Sequence, residues 1–173
     1  MGSLSVIDKL NRTIRDGKKK AKDILNGKPE YKIMESEIIV PNFKKVEVLD
    51  NKWRNQLYHG DNLIVIKKLL DEGYRGKIDL IYIDPPFFTK SNYIGRIMVQ
   101  DGKEKEIIEY PAYSDNWDDG LVGYLKMLYI RLYLMRELLS DKGSIYVHLD
   151  YRTVHYVKIL MDEIFGEENF LNE

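Results

Sequence analysis

Asp84-Pro85-Pro86-Phe87 follows directly on the apolar run Ile78 to Ile83. Such a run predicts a strand, and the carboxyl ends of strands are where open α/β sheets place their chemistry. Two successive prolines remove two backbone donors and fix φ twice, so the strand cannot continue and the chain is held stiffly beyond Asp84. A carboxylate, a rigid carbonyl and an aromatic ring are thereby presented together. At residue frequencies of roughly one in twenty, the tetrapeptide arises by chance about once in 10^5 positions. It therefore reads as a site and not as punctuation. The trio would suit an exocyclic amine: Phe87 can stack on an adenine turned out of its duplex, while the Asp84 carboxylate and the Pro85 carbonyl can accept hydrogen bonds from the amino group. Those bonds draw the amine lone pair out of conjugation and toward an electrophilic methyl group. Asp84 would then stabilise the positive charge developing on nitrogen, help that is concentrated in the transition state.

The elements that must position this tetrapeptide are legible as patterns. From Gln56 the chain predicts a short strand, a helix with Leu63, Ile66 and Leu70 on one face, a turn, and the strand Ile78 to Asp84, together a parallel β-α-β unit. Isoleucines on both faces of that strand predict a central sheet covered on both sides. Residues 92–119 read as a long excursion, with strands Ile94 to Gln100 and Glu106 to Tyr110 forming a hairpin around Asp101-Gly102. Leu121, Leu125, Leu128, Leu132, Met135 and Leu139 make a regular stripe, which predicts a helix packed on the sheet and stopped by Asp141-Lys142-Gly143. A strand Ser144 to Leu149 and a helix marked by Val154, Val157, Met161 and Ile164 follow. Upstream, Ile7, Leu10, Ile14, Ala21 and Ile24 predict an amphipathic helix weakened at Gly17. The run Lys18-Lys19-Lys20 with Lys22 reads better as a solvated helix face than as a phosphate contact. Residues 1–52 are taken as an accessory N-terminal helical segment and 53–173 as the catalytic unit.

Length and composition bound these readings. The 173 residues suffice for one domain with a real core, and 44% hydrophobic and 32% charged residues are ordinary for a globular protein. The absence of cysteine excludes disulfides, thiolate catalysis and structural zinc on sulfur. His59, His148 and His155 show no ligand spacing, so no metal is expected. No apolar stretch reaches membrane-spanning length and no signal-peptide pattern opens the chain, so a cytoplasmic location fits. A net charge of −1 makes any nucleic-acid contact a local matter.

Beyond the tetrapeptide, the stretches Leu57 to Leu63, Asp79 to Phe87, Tyr113-Ser114-Asp115-Asn116-Trp117 and Leu138 to Asp150 resemble the beta-class adenine-N6 DNA methyltransferases. The modification (Mod) subunits of type III restriction-modification systems look most similar. The resemblance implies a Rossmann-like, circularly permuted α/β sheet, S-adenosylmethionine as methyl donor, and double-stranded DNA as substrate. It also implies a possible restriction endonuclease subunit as partner, Asp84, Pro85, Pro86 and Phe87 as the catalytic motif, and Asp61, with Asp84, beside the cofactor. Asp61 reads equally as a helix N-cap, and one residue can do both. Trp117 either wedges beside the flipped base or packs the long loop against the sheet. Lys90 is expected at a phosphate. His148 is expected as a core histidine satisfied by backbone, and Asp150 as a cap of the last helix.

Two departures qualify the resemblance. The family's Gly-rich cofactor loop has no counterpart, since no Gly-x-Gly occurs, and Phe88-Thr89-Lys90 stands where relatives commonly have Asn-Thr-Gly. The chain is thus expected to be the amino-terminal half of the domain, its sheet incomplete and its cofactor pocket finished by a missing carboxy-terminal half or by another chain. The alternatives are a DNA-binding or assembly module without catalysis, and a cytosine-N4 enzyme, against which Asp at position 84 argues. A nucleotide-dependent oxidoreductase would need a glycine fingerprint that Gly60-Asp61-Asn62 does not supply.

Overall fold

The computed structural model describes residues 5–28, 32, 55–101 and 104–173. Within the expected accessory segment 1–52, residues 1–4, 29–31 and 33–52 lie outside the described residues. The element order is α1 (Val6–Asn26), α2 (Asn62–Asp71), β1 (Ile78–Ile83), β2 (Asn92–Asp101), β3 (Glu104–Ser114), α3 (Gly120–Leu138), β4 (Leu139–Val147) and α4 (Val154–Phe165), followed by a 3-10 turn at Glu167–Asn169.

The core is built around α3. Tyr124, Leu125, Leu128, Tyr129, Ile130, Leu132, Leu134, Met135 and Leu138 are all buried along this one helix, so it is apolar around most of its circumference. Helices α1, α2 and α4 each pack against it. The expected stripe is present, but it belongs to a helix enclosed by helices as well as by the sheet. Gly17, expected as the weak point of α1, is where that helix meets α3 most closely. A Cβ there would lie 2.7 Å from Cδ1 of Tyr129, so only glycine admits the approach. Ser5 caps α1, its hydroxyl accepting from the Asp8 amide at 3.1 Å and donating to the Asp8 carboxylate. Lys18 pairs with Glu163 of α4 at 3.1 Å, which spends one of the basic side chains within the fold.

Two two-stranded sheets accompany the helices. β1 and β4 are parallel, in register from Leu80↔Ser144 to Ile83↔Val147, and β2 and β3 form the expected antiparallel hairpin, Gly102 of its expected turn lying outside the described residues. Two expectations for the first sheet are corrected. Residues 55–61 form no strand: Leu57 is 96% exposed, and the parallel neighbour of β1 is instead β4, reached through the hairpin and α3. Nor, among the described residues, is β1 covered on both faces. Ile81, Ile83, Ile145 and Val147 pack inward, whereas Leu80, Tyr82 and Tyr146 are 61%, 64% and 54% exposed on the other face. β4 also starts five residues before the expected strand. Leu139 leaves the helix straight into extended backbone, and Asp141-Lys142-Gly143 lies within an irregular stretch of the strand. There the missing Cβ of Gly143 lets the Ile78 carbonyl approach to what would be 2.7 Å.

Among the described residues no helix is long and apolar enough to cross a membrane.

Candidate active site

Parallel pairing of β1 with β4 brings two strand ends side by side. The His148 amide donates to the Ile83 carbonyl at 2.9 Å, so His148 leaves β4 where Asp84 leaves β1. The His148 ring leans against Phe87, centroids 5.5 Å apart and planes at 58°. Its side chain is exposed, which corrects the expectation of a core histidine. The signal was present in the alternation Tyr146, His148 against Ile145, Val147, Leu149, which puts His148 on the same outward face as Tyr146. Asp84 is exposed, whereas Pro85, Pro86 and Phe87 are half-buried, as expected of a stiff ledge with a carboxylate at its front.

Beyond the ledge the backbone is strained. Phe88 and Lys90 adopt φ of 60° and 58°, a left-handed conformation that costs a side-chain-bearing residue on the order of 1–3 kcal/mol. Thr89, between them, is held by a carboxylate that sequence reasoning placed beside Trp117 but gave no role. Asp115 is fully buried. Its Oδ2 accepts from the Thr89 amide at 2.6 Å and from the Thr89 hydroxyl at 2.9 Å, and its Oδ1 accepts from the Trp117 indole N–H at 2.9 Å. The Asp115 amide in turn donates to the Ser91 carbonyl at 2.9 Å. Three donors on one buried carboxylate supply the partners that a desolvated charge requires. Trp117 meets Tyr124 edge-on at 5.7 Å.

The hairpin joins this frame through its two ends. The Tyr93 hydroxyl donates to Thr89 Oγ1 at 3.0 Å, and the rings of Tyr93 and Tyr113 stack with centroids 4.5 Å apart and planes at 14°. A cleft of about 400 Å³ results, lined by Asp84, Pro85, Pro86, Phe87, Thr89, Tyr93 and Tyr113. Burial first, then the neighbouring Tyr93 and the Asp115 and Asp84 carboxylates, pushes the Tyr113 phenol above its ordinary value.

The structure thus brings the four expected motif residues together and sets three others apart. Lys90 is exposed, its ammonium 5.3 Å from the centre of the Phe88 ring, and neither it nor Trp117 lines the cleft. Asp61 stands at the start of α2. Its Oδ1 accepts from the Leu63 amide at 2.8 Å, completing the expected cap, and also from Arg131 of α3 at 3.0 Å. The second oxygen, Oδ2, has no partner among the described residues. Arg131 holds Asn62 as well, its Nε donating to Asn62 Oδ1 at 2.6 Å. Asp150 ties down the turn before α4, accepting from the Arg152 amide at 2.9 Å and pairing with the Arg152 guanidinium. Among the described residues no cluster of His, Asp and Glu could hold a metal ion.

Comparison with known proteins gives this geometry a context. The chain is 36% identical over 118 residues to the type II methyltransferase M.EcaI of Enterobacter cloacae, covering 68% of this chain and 23% of that protein. It is 33% identical over 147 residues to the StyLTI Mod subunit of Salmonella typhimurium, a type III restriction-modification enzyme (78% of this chain, 22% of that one). It is 30% identical over 131 residues to the EcoP15I Mod subunit of Escherichia coli, again type III (68% and 20%). The chain spans about a fifth to a quarter of the length of these curated relatives. Residues 78–173 match the DNA methylase family from the start of β1, through the motif, the hairpin and α3, to the last residue. With more than half of its length matched, the chain belongs to the DNA methylase family.

Proposed function

We propose that this chain carries the base-binding and catalytic part of an adenine-N6 DNA methyltransferase of a restriction-modification system. The observation that carries the reading is the cleft at the carboxyl end of β1, in which Asp84, Pro85, Pro86 and Phe87 converge. Phe87, backed by His148, offers its ring to a base turned out of double-stranded DNA. The Pro85 carbonyl and the Asp84 carboxylate accept the two N6 hydrogens and pull the amine out of conjugation. As nitrogen gains positive charge, the carboxylate stabilises it and then takes the proton. S-adenosylmethionine, when bound, supplies the methyl group. The chain has a carboxylate suited to such a ligand's hydroxyl or amino groups in Asp61, whose Oδ2 is uncommitted among the described residues and whose side chain is 52% exposed.

A sheet of only two parallel strands among the described residues, with the face of Leu80, Tyr82 and Tyr146 open there, supports a larger, Rossmann-like and circularly permuted sheet with a second covering layer. On this reading the further strands and the Gly-rich loop come from a carboxy-terminal half or another chain, and a restriction endonuclease subunit joins the assembly. Residues 53–173 then form the catalytic half. The 1–52 segment is an accessory whose helix α1 packs on α3 through Gly17 and Ala21. Lys90, through its exposed ammonium, and the half-buried Trp117 remain candidates for DNA contact.

The test is methyl transfer to DNA by the activity-competent assembly, with N6-methyladenine and N4-methylcytosine quantified separately by mass spectrometry. Asp84→Ala should lower N6-methyladenine formation by roughly 10^2 to 10^3-fold. It should leave S-adenosylmethionine affinity nearly unchanged in calorimetric titration. Near-normal turnover of the variant would overturn the assignment, and N4-methylcytosine as the product would move it to the cytosine enzymes.

A further inference from the structure

The β2–β3 hairpin reaches into the cleft with two aromatic rings that the proposed mechanism does not use. Tyr93 and Tyr113 lie at the hairpin's base, on the first strand's start and the second strand's end, and are 37% and 50% exposed. Solvent-exposed aromatic faces inside a concave site are expected where a planar ligand replaces the water. The rings are also held in place. Tyr93 donates to Thr89 Oγ1, Thr89 donates to the buried Asp115, and Tyr113 stacks on Tyr93. Thr89, two residues beyond Phe87, is bound to the same Asp115, so one buried carboxylate links the two sides of the cleft. Geometry fixed in this way before a ligand arrives lowers the cost of ordering on binding.

We propose that the hairpin is the second wall of the base pocket, with the Tyr93–Tyr113 stack contacting the extruded adenine on the side opposite Phe87. This rests on the reading of Asp84 to Phe87 as the base-binding motif. The hairpin is then a substrate-binding element. Tyr113 contributes its ring face, and Tyr93 acts as a positioning residue behind it.

The test uses the 173-residue chain and the single-stranded trinucleotide d(TAT), with the same trinucleotide abasic at its centre as control. The readout is the aromatic proton resonances of Phe87, Tyr93 and Tyr113, assigned by substitution. The expected result is that the Phe87 and Tyr113 ring signals shift together along one saturation curve with d(TAT) and stay in place with the abasic control. Tyr113→Ala should weaken binding about tenfold and Tyr113→Phe should keep it, as stacking on a ring face requires. If Phe87 alone shifts and Tyr113→Ala titrates like the parent, the hairpin wall is refuted while the base-binding motif stands. If Tyr113→Phe loses as much as Tyr113→Ala, a hydroxyl contact replaces the stacking proposed. If neither ring responds, both the hairpin wall and the reading of the motif beneath it fail.

Discussion

Removing the Asp115 carboxylate tests whether the site is held from beneath. Asp115→Ala abolishes three hydrogen bonds to a charged acceptor, from the Thr89 amide, the Thr89 hydroxyl and the Trp117 indole. At about 1.5 kcal/mol each, the lower end for charged partners, their gross loss is about 4–5 kcal/mol. Part is returned because a fully buried carboxylate no longer has to be desolvated, and water can reach the half-buried Thr89 and Trp117. The expected net loss is about 2–4 kcal/mol, or roughly 5–15 °C in melting temperature for a chain of this size. Asp115→Asn should lose about half as much. Its amide oxygen can keep both Thr89 donors, but its NH2 then faces the Trp117 N–H, donor against donor. The assays are urea and thermal unfolding followed by far-UV circular dichroism, on both variants, on Thr89→Ala and on the double variant Asp115→Ala/Thr89→Ala. Asp115 and Thr89 should couple by about 1 kcal/mol or more. An Asp115→Ala stability within about 0.5 kcal/mol of the parent, or strict additivity with Thr89→Ala, would refute the clamp. Pro85 and Pro86 would then have to hold the strained loop unaided.

Three further outcomes are expected. Gly17→Ala puts a methyl 2.7 Å from a Tyr129 ring that is fully buried and cannot swing away. The overpacking should cost about 1–3 kcal/mol and exceed the gain in helix propensity of roughly 0.5–1 kcal/mol, so a melting temperature above the parent's would contradict the α1–α3 contact. Burial pushes the Tyr124 phenol up to about 12, aided by Asp115 and Asp150 and opposed by Thr153. Burial pushes Tyr129 up to about 12 as well, aided by Glu163 and Tyr133 and opposed by Arg136. Folded values above the ordinary 10.0 mean that the unfolded chain releases these protons first. This stabilisation is therefore complete below pH ~10 and is lost as pH rises through ~12, by at most about 3 kcal/mol per ring. Urea midpoints measured from pH 9 to 11.5 should fall, and a flat profile would argue against two neutral buried phenols. His148→Ala removes the ring leaning on Phe87 from an exposed position. Stability should stay within about 0.5 kcal/mol while trinucleotide binding weakens about threefold, and unchanged binding would show that Phe87 needs no support.

What the sequence made legible, and what it did not, divides by the range of the interactions involved. The motif could be read because its parts are adjacent: an apolar run, two prolines, a carboxylate and a ring within ten residues, 78–87. The hairpin could be read from Asp101-Gly102, and α3 and α4 from stripes along one helix. The strand expected near Gln56 failed because a short apolar stretch becomes a strand only where packing brings it to an edge; Leu57 stays 96% exposed, while the strand that pairs with β1 is β4, from more than fifty residues downstream. The boundary at Leu139 was missed for a related reason. Asp141-Lys142-Gly143 has the composition of a turn, and only the approach of the Ile78 carbonyl to Gly143 makes it part of a strand. Coverage of β1 could not be read either, since Leu80 is as apolar as Ile81 and Ile83, the Tyr82 ring fits a core or its rim, and only packing tells the faces apart. Asp115 is the clearest case. Asp-x-Trp is visible as a local pair, but the partner that turns it into a clamp is Thr89, twenty-six residues earlier across the hairpin. A sequence can therefore declare the groups that touch a base while leaving unmarked the buried carboxylate that keeps them in place. Substitutions at Asp115 should consequently damage the cleft without touching any residue of the motif.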